Sequence, residues 1–114
     1  MNTKERKWEV KLENSKTCYG KAYFDENDLK ETQINHKVEL EYFRTNKYVK
    51  DDFKYGIEIR KKEYINDNIT VESNKIENIT NSSDKVIEII NTLKKFKVTP
   101  VGLNDVLEDL MKAN

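Results

Sequence analysis

The stretch that decides the fold is residues 82–112, SSDKVIEIINTLKKFKVTPVGLNDVLEDLMK, in the last third of the chain. Ser82 and Ser83 offer an N-cap hydroxyl, and Asp84 adds an acidic group where a first helical turn favours one. Apolar residues then recur every three or four positions, which predicts an amphipathic helix. Its apolar stripe consists of Val86, Ile87, Ile90, Leu93 and Phe96.

A second helix is predicted directly after the first. Thr99 followed by Pro100 suits an N-cap with proline at the first helical position. The residues that follow again have helical spacing, and their stripe consists of Leu103, Val106, Leu107, Leu110 and Met111. Two short helices of this kind need an apolar surface on which to pack, and the rest of the chain must supply it.

The chain before residue 82 has the alternating pattern of half-buried strands. Trp8, Val10 and Leu12 alternate with charged residues, and the same pattern returns near 19–24, 38–42 and 53–59. The polar run 66–68 predicts a hairpin turn between residues 64–65 and 69–71, and a further short strand is expected near 75–79. The polar segment 25–35 is interpreted as a connection.

These elements predict an α+β fold. We expect a mostly antiparallel sheet of five to six strands with two C-terminal helices packed on one face. At 114 residues the chain has the length of a single domain, 1–114, made of a β-meander (8–80) and a helical pair (82–112).

Composition narrows the function classes. The charges of the 21 basic and 21 acidic residues cancel, so the protein has no overall electrostatic field that would attract nucleic acid, a membrane surface or an acidic partner. Because 37% of residues are charged, a thin core or a face completed by self-association is expected. No apolar run approaches membrane length and no apolar segment follows the charged start, which predicts a cytoplasmic protein.

Residues that could carry chemistry are few and scattered. Cys18 is the only cysteine and His36 the only histidine, and neither has a catalytic or metal-binding neighbour in sequence. The three glycines lie far apart and form no phosphate-binding loop. We therefore predict a protein that is not an enzyme, without a cofactor or metal. An enzyme that depends on Cys18 or His36 is the least favoured alternative.

The aromatic residues indicate a binding surface. Tyr42 and Phe43 are neighbours on a predicted strand, so they point to opposite faces of the sheet and one ring is left on the face without helices. Aromatic rings interleaved with Lys21, Lys37, Lys54 and Arg60 are typical of single-strand binders. Acidic residues on the same strands would repel phosphate, which favours a protein contact instead. The predicted contact residues are Tyr42, Phe43, Lys54 and Arg60, together with the outer edge strand.

Three features of the C-terminal half form a pattern: the run 55–59 (YGIEI), the turn 76–84, and Val98-Thr99-Pro100 with the apolar residues after it. The pattern resembles an uncharacterised family of small soluble proteins, a domain of unknown function, from low-GC Gram-positive anaerobes. The resemblance covers roughly the C-terminal half. It implies a small single domain and brings no activity or site residues with it.

The sequence thus predicts a small non-enzymatic protein-binding module with a regulatory or accessory role. Its partner is another protein or a second copy of itself as a homodimer, with no role for a membrane. One alternative is an inhibitor of a host defence enzyme, encoded by a phage or mobile element. Another is a single-stranded nucleic-acid binder, which the zero net charge disfavours.

Overall fold

The computed structural model describes residues 15–112. The strands are β1 (Lys16–Tyr23), β2 (Lys37–Val49), β3 (Asp52–Ile65) and β4 (Asn68–Thr80), and they form one sheet in that order. All neighbouring strands are antiparallel. The helices are α1 (Glu26–Thr32), α2 (Ser83–Lys95) and α3 (Leu103–Lys112), with a 3-10 turn at Pro100–Gly102. The α+β class and the antiparallel sheet are confirmed.

The predicted number of five to six strands is wrong for the described residues, which form four. Residues 53–59 and 64–65 belong to the single long strand β3, and residues 69–71 and 75–79 belong to β4. Breaks in hydrophobic alternation do not end these long strands, because their pairing continues through the breaks, with one register shift between Tyr55 and Ile57. The predicted strand at Trp8, Val10 and Leu12 lies outside the described residues.

Two-residue turns join the long strands. Lys50 and Asp51 both have left-handed φ values, 50° and 62°, between the paired residues Val49 and Asp52. Two successive residues of this kind are typical of the type I′ turns that match the twist of a hairpin. The hairpin predicted at 66–68 is confirmed, with Asn66 at a φ of 56°.

Helix α1 replaces part of the predicted connection 25–35. Asp25 and Asp28 form a capping box, in which each backbone N–H donates to the other residue's carboxylate at 2.9 Å. No residue of this helix is buried. The helix is therefore held by its cap, and it lacks the apolar periodicity on which the sequence prediction relied.

The core lies between one sheet face and the C-terminal helices. Alternating residues of β2 and β3 point toward the helices, and α2 and α3 place their apolar stripes over them. Phe96 is an exception to the predicted stripe, because α2 ends at Lys95 and this ring is mostly exposed. Fully buried core residues from both layers are Leu40, Tyr42, Ile57, Ile59, Val86, Ile90, Leu93 and Leu103.

Candidate functional site

The sheet face opposite the core is the candidate site, and we call it the open face. The strand registers place the following side chains there: Lys16, Cys18, Lys21 and Tyr23 of β1; Lys37, Glu39, Glu41, Phe43, Thr45 and Lys47 of β2; Asp52, Lys54, Glu58, Arg60, Lys62 and Tyr64 of β3; and Ile69, Val71, Ser73, Lys75 and Glu77 of β4. Helices α2 and α3 pack on the other face.

Charge is segregated between the two sides of the molecule. The open face carries eight cationic and five acidic side chains, a net charge of +3. The remaining residues of 15–112 carry nine cations and thirteen acids, a net charge of −4. The balanced total of the chain thus conceals a basic face and an acidic remainder.

The acids at the centre of the open face lie beneath the cations. Glu39, Glu41 and Glu58 are only 6 to 9% exposed. The cations paired with them have side chains that are 28 to 47% exposed: Lys16, Lys21, Arg60 and Lys62. A partner approaching this face therefore meets ammonium and guanidinium groups first.

The ion pairs join different strands, and the first of them reaches from β1 to β3 across β2. Lys16 Nζ lies 3.2 Å from Glu58 Oε2, and Lys62 Nζ lies 3.3 Å from Glu41 Oε1. The second pair is not an aligned hydrogen bond, and Glu41 Oε1 accepts none from the described residues. Negative charge nearby, from Glu39 first, raises the pKa of Lys21. Half-exposed pairs of this kind each contribute at most about 1 kcal/mol, so their main effect is on the surface charge.

Cations also lie over the aromatic rings of the open face. Lys16 Nζ and the Arg60 guanidinium lie 4.8 and 4.9 Å from the centre of the Phe43 ring. Lys37 Nζ lies 4.9 Å from the ring centre of Tyr64 and 5.6 Å from that of Tyr23. These are cation–π distances. The Phe43 ring is thus buried beneath cations, whereas the Tyr23 ring beside Lys37 remains 47% exposed.

The structure separates the four predicted contact residues. Phe43 and Arg60 come together at the centre of the open face, and Lys54 lies on the same face opposite Lys47. Tyr42 is fully buried under the helices, and its hydroxyl donates to the carbonyl of Val98 at 2.8 Å. Burial removes Tyr42 from the candidate surface. The prediction did not say which strand is the outer edge; among the described strands both β1 and β4 are edges, and β4 is exposed along most of its length.

The two residues considered for catalysis lie apart. Cys18 is exposed on β1, with Sγ 3.7 Å from the carbonyl of Gly20. His36 Nε2 lies 3.3 Å from Glu63 Oε1. Within residues 15–112, no group of three or more His, Cys, Asp or Glu side chains could hold a metal ion. In the same part of the chain, no helix has the length and apolar character needed to cross a bilayer.

Fold and site together define a small α+β domain with a charged open sheet face. A family model described as a family of unknown function (DUF6514) matches residues 21–113, and the chain belongs to this family. The match begins within β1, so it extends well beyond the C-terminal half that carried the sequence resemblance. No curated protein and no solved structure matches the chain significantly.

Proposed function

We propose that this protein is a non-enzymatic binding module whose open face contacts an acidic surface of another protein, in a regulatory or accessory role. The observation that carries the proposal is the excess of cations on that face, with the central carboxylates buried beneath them. Complementary charge steers two proteins together and fixes their relative orientation. The proposal includes the cytoplasmic location and the low-GC Gram-positive source that the sequence implies.

The charge on the open face favours a different protein over a second copy of this chain. A face-to-face homodimer would oppose two surfaces that each carry a net charge of +3. Like charges placed opposite each other across an interface cost several kcal/mol. An acidic partner is instead attracted electrostatically by all the exposed cations of this face. An inhibitor of a host enzyme, one of the sequence-based alternatives, is a special case of such a partner.

Single-stranded nucleic acid is the second candidate, because cations and aromatic rings share the open face. Base stacking needs an accessible ring face. Phe43 is only 8% exposed and lies against Lys16 and Arg60, while Lys37 lies over both tyrosine rings. A nucleic acid would have to displace these cations from the rings, whereas a carboxylate-rich protein surface binds them where they are.

Affinity capture with two charge-matched variants tests the proposal. The first variant neutralises open-face cations (Lys21→Gln, Lys37→Gln, Lys62→Gln), and the control neutralises three lysines elsewhere (Lys30→Gln, Lys85→Gln, Lys95→Gln). Each variant loses three charges, so any difference between them reports position and not total charge. The tagged full chain is incubated with nuclease-treated host lysate at low and at high salt, and bound material is identified and quantified.

The expected result is one stoichiometric protein partner with an acidic surface, retained by wild type and the control variant and lost by the open-face variant. Binding should weaken as salt increases, because exposed charges are screened. Equal retention by both variants would show that the open face is not the contact. Recovery of nucleic acid from lysate that has not been treated with nuclease, with no protein partner, would favour the second candidate.

A further inference from the structure

A cleft lies at the end of the open face where β2 and β3 approach their connecting turn. Its volume is about 330 Å³, which lies within the range of small-molecule sites. Four lysines line it: Lys16, Lys47, Lys54 and Lys75. The lining also includes two acids, Glu58 and Glu77, and the polar residues Ser15, Thr45, Asn46 and Asn78.

The strand register opposes two like charges in this cleft. Lys47 and Lys54 are direct cross-strand partners on the same face. Like charges in this position destabilise a sheet. An anion between the two ammonium groups would remove the repulsion, so the pair indicates an anionic ligand and not a contribution to stability.

The lysines are only loosely neutralised by the protein. Lys47 and Lys75 share Glu77, at 3.9 and 3.3 Å, and Lys54 lies 3.4 Å from Asp52, which is outside the lining. The side chains of the four lining lysines are 40 to 51% exposed. Four lysines and two glutamates give the lining a charge of +2, or +1 when Asp52 beside Lys54 is included, so the cleft attracts an anion such as a phosphomonoester.

An irregularity in β4 brings one wall of the cleft into place. The pairing of β3 with β4 shifts between Tyr55 and Ile57, and Asn78 has a left-handed φ of 56°. The bulged strand passes so close to Gly56 that a Cβ there would meet the Ile76 carbonyl oxygen at 2.4 Å. Bulges re-aim side chains and are frequent near functional sites. Here the bulged segment carries Glu77 and Asn78 to the cleft.

We propose that this cleft binds a small hydroxylated phosphomonoester, such as a sugar phosphate. The phosphate group lies between the ammonium groups of Lys47, Lys54 and Lys75, which act as point-charge donors. The Glu58 carboxylate accepts hydrogen bonds from the ligand's hydroxyl groups, and the Asn78 side-chain amide donates to them. The volume leaves room for such a ligand beside the phosphate. Binding here does not require the protein partner proposed above. The cleft lysines belong to the same open face, but the variants that test the two proposals change different lysines.

NMR titration of the ¹⁵N-labelled full chain tests this site. The probes are glucose 6-phosphate, ribose 5-phosphate and glycerol 3-phosphate, compared with inorganic phosphate and with glucose. A cleft variant (Lys47→Gln, Lys75→Gln) is compared with a control that loses the same charge elsewhere (Lys30→Gln, Lys85→Gln). All substituted side chains are on the surface, and a well-dispersed spectrum confirms that each variant folds.

We expect at least one phosphomonoester to bind saturably, with shifts confined to amides lining the cleft, and more tightly than inorganic phosphate. The cleft variant should bind it roughly tenfold more weakly or worse, because it loses charge-assisted hydrogen bonds. The control variant should bind it as wild type does. The proposal is overturned if no phosphomonoester binds at millimolar concentration, if inorganic phosphate binds equally well, or if both variants weaken binding equally.

Discussion

The hydroxyl of Tyr42 donates a hydrogen bond to the carbonyl oxygen of Val98, at 2.8 Å, across the interface between sheet and helices. Tyr42 lies in the middle of β2, and Val98 lies in the short connection between α2 and the 3-10 turn. This connection exposes carbonyl groups that no helix satisfies. The buried phenol supplies one of the missing donors and fixes how the helical pair sits on the sheet.

Replacing Tyr42 by phenylalanine should destabilise the protein. The change keeps the ring but leaves a buried carbonyl without its donor, which costs about 1 to 3 kcal/mol. Chemical denaturation followed by circular dichroism measures the free energy of unfolding. Tyr48→Phe is the control, since the hydroxyl of Tyr48 donates to Asp51 at the surface and its loss should matter less. Equal stability of Tyr42→Phe and wild type would mean that this hydrogen bond does not hold the helices.

Stability should decline above about pH 10 because of the same residue. Burial raises the pKa of the Tyr42 phenol far above its usual value of 10.0. The unfolded chain therefore releases this proton at lower pH than the folded chain does, and the free energy of unfolding falls as pH rises through that region. Ultraviolet absorbance should show one tyrosine that ionises only as circular dichroism reports unfolding. In Tyr42→Phe this late step should be missing, and its persistence would assign it to another tyrosine.

Two glycine substitutions should differ sharply. In Gly56→Ala the added Cβ would meet backbone atoms of β4 and the Thr45 hydroxyl at 2.4 to 2.8 Å, and the backbone cannot yield cheaply. The nearest atom to a Cβ at Gly102 is Val98 Cγ1 at 3.7 Å, an ordinary contact. We expect Gly56→Ala to lose more than about 3 kcal/mol of stability and Gly102→Ala less than about 1 kcal/mol. Thermal melts of the two variants compare them directly, and similar midpoints would contradict the close packing of β4 over Gly56.

A substitution at the C-terminal end of α1 should make the protein more stable. Gln33 closes this helix with a left-handed φ of 59°, a conformation that costs residues with a side chain about 1 kcal/mol or more. Gln33→Gly should therefore raise the free energy of unfolding by about 1 kcal/mol. The conformational entropy that glycine adds to the unfolded chain reduces this gain. Gln33→Ala, which keeps the strain, should bring no such gain. A stability loss in Gln33→Gly, measured by urea denaturation, would mean that the Gln33 side chain matters more than its backbone.

Local patterns predicted much of the fold. Helical spacing identified α2 and α3, and polar residues at 66–68 identified the β3–β4 turn, because both signals depend on neighbouring residues alone. Helix α1 was missed because its cap uses aspartate at both positions and it buries no side chain. The count of strands failed because the polar residues 60–63 and 72–74 interrupt the apolar alternation but remain within β3 and β4, whose cross-strand pairing continues through them.

The position of each side chain in the site depends on contacts between residues far apart in the sequence, which local patterns do not reveal. Alternation shows that Tyr42 and Phe43 face opposite ways, but only the packing of the helices decides which of them is buried. The pairing of Lys47 with Lys54 follows from the register of β2 and β3, and the position of Lys75 follows from the register of β4. The burial of Glu41 beneath Lys62 is likewise visible only once β2 and β3 are aligned.

The most direct test of the central claim, that the open face binds an acidic protein surface, is an NMR titration of the ¹⁵N-labelled full chain with poly-L-glutamate, run beside a single-stranded oligothymidylate at the same physiological salt. We predict saturable shifts from poly-L-glutamate at open-face residues around Lys21, Lys62 and Arg60, and weaker binding of the oligonucleotide. Tighter binding of the oligonucleotide, or shifts from poly-L-glutamate that map to α2 and α3 instead, would contradict the claim.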